Sequence, residues 1–355
     1  MIKKIIVVLV LSNFLLANTL NYALSNKHSF VLPKGSLELT SSYLKVNDTL
    51  DIFNVKEKEL GNLARFGAIG DMDGFELGAR YGLTKKDSIF VNYQQWNVDY
   101  AGSVLKNSRF EFFNRYNLLN TPYSFFQALS FDVGYINNSA DNLDVKNEAM
   151  LNSMLKKIKP NSGFSFKNGS IVADGTTITL QESPFFSIED MQSDSYYVRL
   201  LLGRKMSSHS VFDIYATYEY SDIKTKLDFS PKDNIFINQI AGNFNLPVLD
   251  RDEKKMHLGF NYTLENSNII YDFNYEFSKI YRDDSLSVED TNHVFDVSVS
   301  RILNKNWIIF VGGKLMLNQF NTDLPYLYNK YTQTQFDKKY GFAKIGLIYK
   351  FKPFK

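Results

Sequence analysis

The stretch Met256-His257-Leu258-Gly259-Phe260-Asn261-Tyr262-Thr263-Leu264 alternates without a break: every second residue is apolar, and those between are polar or glycine. Four polar residues follow, Glu265 to Asn268, and the alternation returns in Asp272-Phe273-Asn274-Tyr275-Glu276-Phe277. Side chains reverse face at each residue of an extended strand. Both halves therefore read as strands with one apolar and one wet face, joined by a tight turn.

Working outward from this hairpin, the same unit recurs along the chain. Tight polar turns at Leu83 to Ser88, Met206 to His209 and Asn304 to Asn306 take turns with long polar excursions at 46–73, 139–194, 226–254, 282–291 and 321–339. About twelve strands result. They are Ser36 to Val46, Phe75 to Gly82, Ser88 to Val98, Ser108 to Leu118, Ser124 to Ile136, Ser195 to Lys205, Ser210 to Lys224, Lys255 to Leu264, Ile269 to Ile280, Asn292 to Leu303, Trp307 to Gln319 and Tyr340 to Phe351. Most match the roughly 9–11 residues that a tilted strand needs to cross a bilayer. Short turns at one end and long loops at the other mark a transmembrane antiparallel up-and-down β-barrel, with the short turns expected in the periplasm and the long loops outside the cell.

The apolar faces carry no charge at mid-strand, where Arg or Lys would cost about 2–4 kcal/mol; Arg204 and Arg301 lie close to tight turns. Aromatic residues make up 15% of the chain and gather at strand ends. Tyr81, Tyr116, Tyr262, Tyr349 and Phe351 mark one rim and Tyr135, Tyr220 and Tyr281 the other, as in the paired girdles of membrane barrels.

The first residues read as a secretory signal. Lys3 and Lys4 precede an apolar run from Ile5 to Leu16, and cleavage is expected after Ala17, with Ala23 as a second site. This leaves residues 18–355 as one barrel domain, in which 139–194 is a long extracellular insertion. The chain has no cysteine, which rules out disulfides and thiolate metal sites, and its formal charge of +2 shows no bias toward nucleic acid.

The final strand Phe342-Ala343-Lys344-Ile345-Gly346-Leu347-Ile348-Tyr349-Lys350-Phe351 resembles the C-terminal assembly signal of the Gram-negative outer-membrane barrel class, although Lys352 to Lys355 follow the aromatic. The resemblance covers nearly the whole mature chain as a class. It implies an outer-membrane location, contact with membrane lipid and lipopolysaccharide, and recognition of the last strand by the barrel-assembly machinery. No plug domain of the energy-coupled transporter kind is read before the first strand, so coupling to an inner-membrane motor is not expected.

Four scattered histidines, no Gly-x-Ser-x-Gly elbow and no phosphate-binding glycine loop leave catalysis without support, so no enzyme, cofactor or metal is expected. The expected lumen face is more informative. It places Asp213, Glu219, Asp272, Glu276 and Asp296 on one arc, with Arg80, Arg109, Arg115, Arg199, Lys314 and Lys344 mostly on the remainder. Opposed charges across a narrow pore select polar solutes, whereas the same charges paired together fill a small barrel shut. Both readings stand at this level.

Within the long insertion, Asn142 to Ile158 reads as a helix: Met150, Leu151, Met154, Leu155 and Ile158 recur at helical spacing and Pro160 ends it. Its apolar stripe needs a partner, either the barrel mouth, as a lid, or the neighbouring loops, as a cap. A hairpin over Gly163 to Leu180 and an aromatic pair at Phe185 and Phe186 follow. The expected function is a passive or loop-gated channel for small polar solutes. A closed barrel acting through its surface loops is the alternative, and an outer-membrane enzyme the third.

Overall fold

The computed structural model describes residues 27–46, 69–100, 103–121, 124–161, 163–173, 176–179, 186–230, 235, 238, 241–242, 244–282, 290–318, 323–329, 331 and 340–351. The expected signal segment, with Ala17 and Ala23, lies outside the described residues, as do Leu180 and Phe185. The strands are β1 Leu37–Val46, β2 Ile69–Gly82, β3 Asp87–Tyr100, β4 Ser103–Asn120, β5 Ala128–Ala140, β6 Leu143–Val145, β7 Ser165–Lys167, β8 Ser170–Ala173, β9 Thr176–Thr179, β10 Phe186–Ser207, β11 Ser210–Phe229, β12 Arg251–Asn266, β13 Ile269–Tyr281, β14 Thr291–Ile302, β15 Trp307–Met316 and β16 Tyr340–Phe351. Helix α1 is Glu148–Ile158, and a single 3-10 turn covers Pro325–Leu327.

Twelve strands, β1 to β5 and β10 to β16, pair in a ring, every neighbour antiparallel. The ring closes where β1 meets β16, in register from Leu37↔Phe351 to Lys45↔Ala343. Closure leaves no wall strand with an unpaired edge, which is the condition for a sheet to lie in hydrocarbon. Leu39, Leu77, Val133, Leu200, Leu258, Val311 and Ile345 point outward from seven strands and are all exposed. A continuous apolar outer belt on a closed wall is stable only against lipid. Rings gather at both rims, with Trp307 and Tyr349 4.8 Å apart at one and Tyr135 and Tyr196 5.3 Å apart at the other. Arg204 sits 4.0 Å over the Phe125 ring beside a short turn.

Three expectations change. Several wall strands run beyond their expected ends, most of all β10, of 22 residues, which begins at Phe186 rather than Ser195. β4 begins at Ser103 rather than Ser108 and pairs with β3 out to Tyr100↔Ser103. The helix begins at Glu148 rather than Asn142: the Asn147 side chain accepts from the Ala149 and Met150 amides and caps it. Residues Leu143–Val145 pair instead with Phe186 to Ile188 at the start of β10. The expected hairpin after the helix is a three-stranded sheet, β7-β8-β9.

Along several wall strands the inward row changes character toward the long-connection end. On β1 it runs Glu38, Ser42, Leu44, Val46; on β3 it runs Asn92, Trp96, Val98, Tyr100; on β11 it runs Asp213, Glu219, Ile223, Leu227. The interior is thus polar at mid-height and apolar at one mouth.

Candidate functional site

At the apolar mouth, Leu44, Val46, Met72, Trp96, Val98 and Tyr100 of the wall form one buried cluster with Met150, Leu151, Met154 and Leu155 of α1, and Ile158 packs against it. The same cluster takes in Leu324, Tyr326, Leu327, Tyr328 and Tyr331 from the connection after β15. Polar ties fix this layer to the wall. The Tyr326 hydroxyl donates to Asn107 Oδ1 at 2.7 Å, and Arg251 Nη2 donates to the Pro325 carbonyl at 2.6 Å. Asp323 accepts from Lys314 Nζ at 2.8 Å and lies 3.7 Å from Arg109. Burial pushes the Asp323 carboxyl up, but these two cations outweigh it and hold it below the ordinary range.

The short-turn end holds a segment the alternating pattern does not reveal. The chain before β1 reverses at Pro33 to Ser36, where Ser36 N donates to the Pro33 carbonyl and Gly35 takes φ +76°, and the residues before it fold back inside the ring. His28 and Asp213 are buried, with His28 Nδ1 2.8 Å from Asp213 Oδ2 and His28 Nε2 3.7 Å from Asp272. The Ser29 amide and hydroxyl donate to Asp213 Oδ1 at 2.9 and 2.6 Å. Arg115 donates to the His28 carbonyl, and Ser130 to that of Ser29. Lys27 Nζ reaches Glu276 at 2.9 Å and lies 4.7 Å over the Tyr215 ring. Three consecutive residues thereby touch strands on both sides of the interior. Two wall glycines admit the segment: a Cβ on Gly203 would stand 1.8 Å from Ser29 Oγ, and one on Gly82 2.1 Å from the Pro33 carbonyl. Burial pushes the His28 imidazole down; Asp213 and Asp272 outweigh it and hold the pKa up at about 9.

Between the two closures lies a cavity of about 280 Å³. Its walls carry Lys27, Arg109, Arg199, Lys314 and Lys344 beside Glu76, Asp296 and Asp323. Asn92 Oδ1, Trp96 Nε1 and His257 Nε2 are buried there with no hydrogen-bond partner among the described residues.

Each of the eleven side chains expected in the lumen faces the interior, and each has an opposite charge nearby. Glu219 accepts from Lys255 at 2.9 Å, with His257 3.6 Å away; Glu276 meets Lys27 and, at 3.1 Å, His257; Asp296 holds Lys344 at 2.8 Å. Arg80 donates to Glu38 at 2.6 Å. Arg115 binds Asp132 through two nitrogens at 2.7 and 2.8 Å, and Arg199 shares that carboxylate at 3.2 Å. Arg109 lies 3.7 Å from Glu111. The two arcs do not confront one another as bare surfaces: Lys27, His28, Lys255 and His257 interleave with the acids, and Glu38, Glu111 and Asp132 with the bases. Lys255 and His257 were legible in the sequence, sharing a face with Asn261 and Thr263. Lys27 and His28 lie outside any periodic segment.

No protein-family model matches the sequence, and no curated protein is similar to it. Among solved structures, it is similar to the translocator domain of the autotransporter NalP from Neisseria meningitidis, at 7% identity over 90% of each chain and TM-score 0.47. It is also similar to the β-domain of the Bordetella autotransporter BrkA, at 8% identity over 90% of this chain and 100% of that one, TM-score 0.43. The NanC porin aligns at 7% identity over 88% and 98%, TM-score 0.41. The closed ring, the apolar outer belt and the two aromatic rims make this chain a transmembrane β-barrel.

Proposed function

We propose that this outer-membrane barrel is a gated channel for small polar solutes, and that the conformation described is its shut state. The observation that carries the reading is the charged chamber of about 280 Å³ between two closures. Ionised groups around a void hold water, and a barrel filled only for rigidity has no use for one. The volume lies just below the 300–1,000 Å³ typical of small-molecule sites, which sets the size of solute. The start of β1 and the end of β16 share the short-turn end, which we assign to the periplasm. The opposite mouth, closed by α1 and the 324–329 segment, then faces outward toward lipopolysaccharide, and β16 is the strand offered to the assembly machinery. No catalytic step enters the proposal.

The pairing of the interior charges supports a second reading, a permanently closed barrel that acts through its outer connections. Single-channel recording of the mature protein in a planar bilayer separates the two. Discrete steps, lengthened by Asp213→Asn, are expected of a gated channel. Silence of both folded proteins would leave the closed barrel.

A further inference from the structure

The way Lys27 and His28 are held goes beyond what a simple obstruction requires. Four carboxylates of β11 and β13, the two neighbours of β12, are gathered there: Asp213 and Glu219 on β11, Asp272 and Glu276 on β13. On the strand between, only Lys255 and His257 oppose them. Arg115 and Arg199 face the same region from β4 and β10, but both are engaged by Asp132. Without Lys27 and His28, these four acids would keep Lys255 and His257 as their close counter-charges, with Arg109, Arg199 and Lys344 acting on Glu219, Glu276 and Asp272 from further round the wall.

Two further features are built for a cation. Tyr215 presents its ring face to Lys27 Nζ at 4.7 Å while its hydroxyl donates to Glu276 at 3.0 Å. Gly259 makes room for that ring, since a Cβ there would stand 2.4 Å from it. A ring face favours an organic ammonium, which sheds its water more readily than a metal ion. Asn261 is wholly buried beside His28, and its Oδ1 has no hydrogen-bond partner among the described residues. An unfilled acceptor at that place asks for one more donor than the segment supplies.

We propose that this sector is a binding site for small organic dications, carrying ammonium or imidazolium groups, and that Lys27 and His28 are its tethered occupant. The proposal rests on the channel reading for how such a solute reaches the chamber. A dication arriving from solution competes with the segment and replaces its two charges, so binding and opening are one exchange. An anion finds no vacated counter-charge in this sector.

The test is calorimetric titration of the full mature chain in detergent with 1,4-diaminobutane, for the unsubstituted protein and for Lys27→Ala with His28→Ala. Removing the tethered competitor is expected to tighten binding at least tenfold. Adding Glu276→Gln or Asp213→Asn to the double variant is expected to weaken it again at least tenfold, and succinate is expected not to bind. A heat-modifiable band on a gel certifies each fold. If the alanine pair does not fold, Lys27→Met with His28→Gln keeps the volume and serves in its place. A folded variant that binds no diamine, or binds it unchanged after the carboxylates are neutralised, overturns the site. Because the titration needs no conductance, a chain that conducts without binding refutes this proposal alone, and one that binds without ever conducting refutes the channel.

Discussion

The two ends of the interior are shut by different physics. At the long-connection mouth, α1 and the 324–331 segment bury Met150, Met154, Leu155, Tyr326 and Leu327 against apolar wall side chains. At the short-turn end, Lys27 to Ser29 are held by ion pairs and hydrogen bonds to Asp213, Asp272 and Glu276. Burial is non-directional and indifferent to charge, so the first closure responds to lost volume and little to pH. The second depends on a few directed contacts between ionised groups, so it is lost when one partner or one proton is removed. On the proposed channel reading, the first closure is the stable lid and the second the responsive latch.

That contrast can be broken from either side. The largest expected effect follows Asp213→Asn, which removes the negative charge paired with His28 and replaces one of the two accepting oxygens with an N–H donor, so that His28 and the Ser29 amide and hydroxyl can no longer all be accepted. Removing one partner of a buried pair costs about 3–5 kcal/mol, enough to free the segment. Since the chain has no cysteine, Phe30→Cys gives a single reporter. Maleimide should label it much faster in the Asp213→Asn background, with the lid unmoved. Equal rates would show that the carboxylate is not the anchor.

Slightly smaller is Met154→Ala, which empties a wholly buried position of the lid. Such truncations cost about 2–5 kcal/mol. Trp96 belongs to the same cluster and reports on it once Trp307→Phe removes the other tryptophan. Iodide should quench Trp96 more strongly, while labelling at residue 30 stays slow. A loosened latch would mean that the closures are coupled.

The smallest effect is that of pH, and its sign follows from His28. Its pKa is held at about 9 in the fold against 6.5 for the free side chain. A raised value stabilises the protonated, anchored form: the contribution is complete below pH 6.5 and is lost as pH rises through about 9. Open probability should therefore increase between those values, and His28→Gln should flatten the profile. Iodide quenching of Trp96 should stay constant over the same range. A profile that persists in His28→Gln would assign the titration elsewhere.

How much of this could be read from the chain depended on periodicity. The hairpin at Lys255 to Ile280 and the final strand ending at Phe351 show a two-residue period that hydrocarbon outside and water inside impose directly, so wall strands and faces were legible to within a few residues. The apolar stripe of α1 was legible for the same reason, at helical spacing. Its start was displaced because Asn147, not the first periodic residue, satisfies the free amides. Strand ends were less certain, since β10 and β11 run past the depth where lipid enforces alternation.

From its own sequence, then, the protein determined a twelve-strand wall, an apolar outer face and eleven charged side chains turned inward, because each follows from which neighbour a side chain has two or four residues away. Only the tertiary structure decided what those charges meet. Lys27 and His28 reach Glu276 and Asp213 across 249 and 185 residues of chain, through a turn at Gly35 and past the bare backbones of Gly82 and Gly203. Contacts between an aperiodic segment and a distant wall leave no pattern in the sequence, because they are set by closure of the ring and by the space it leaves inside.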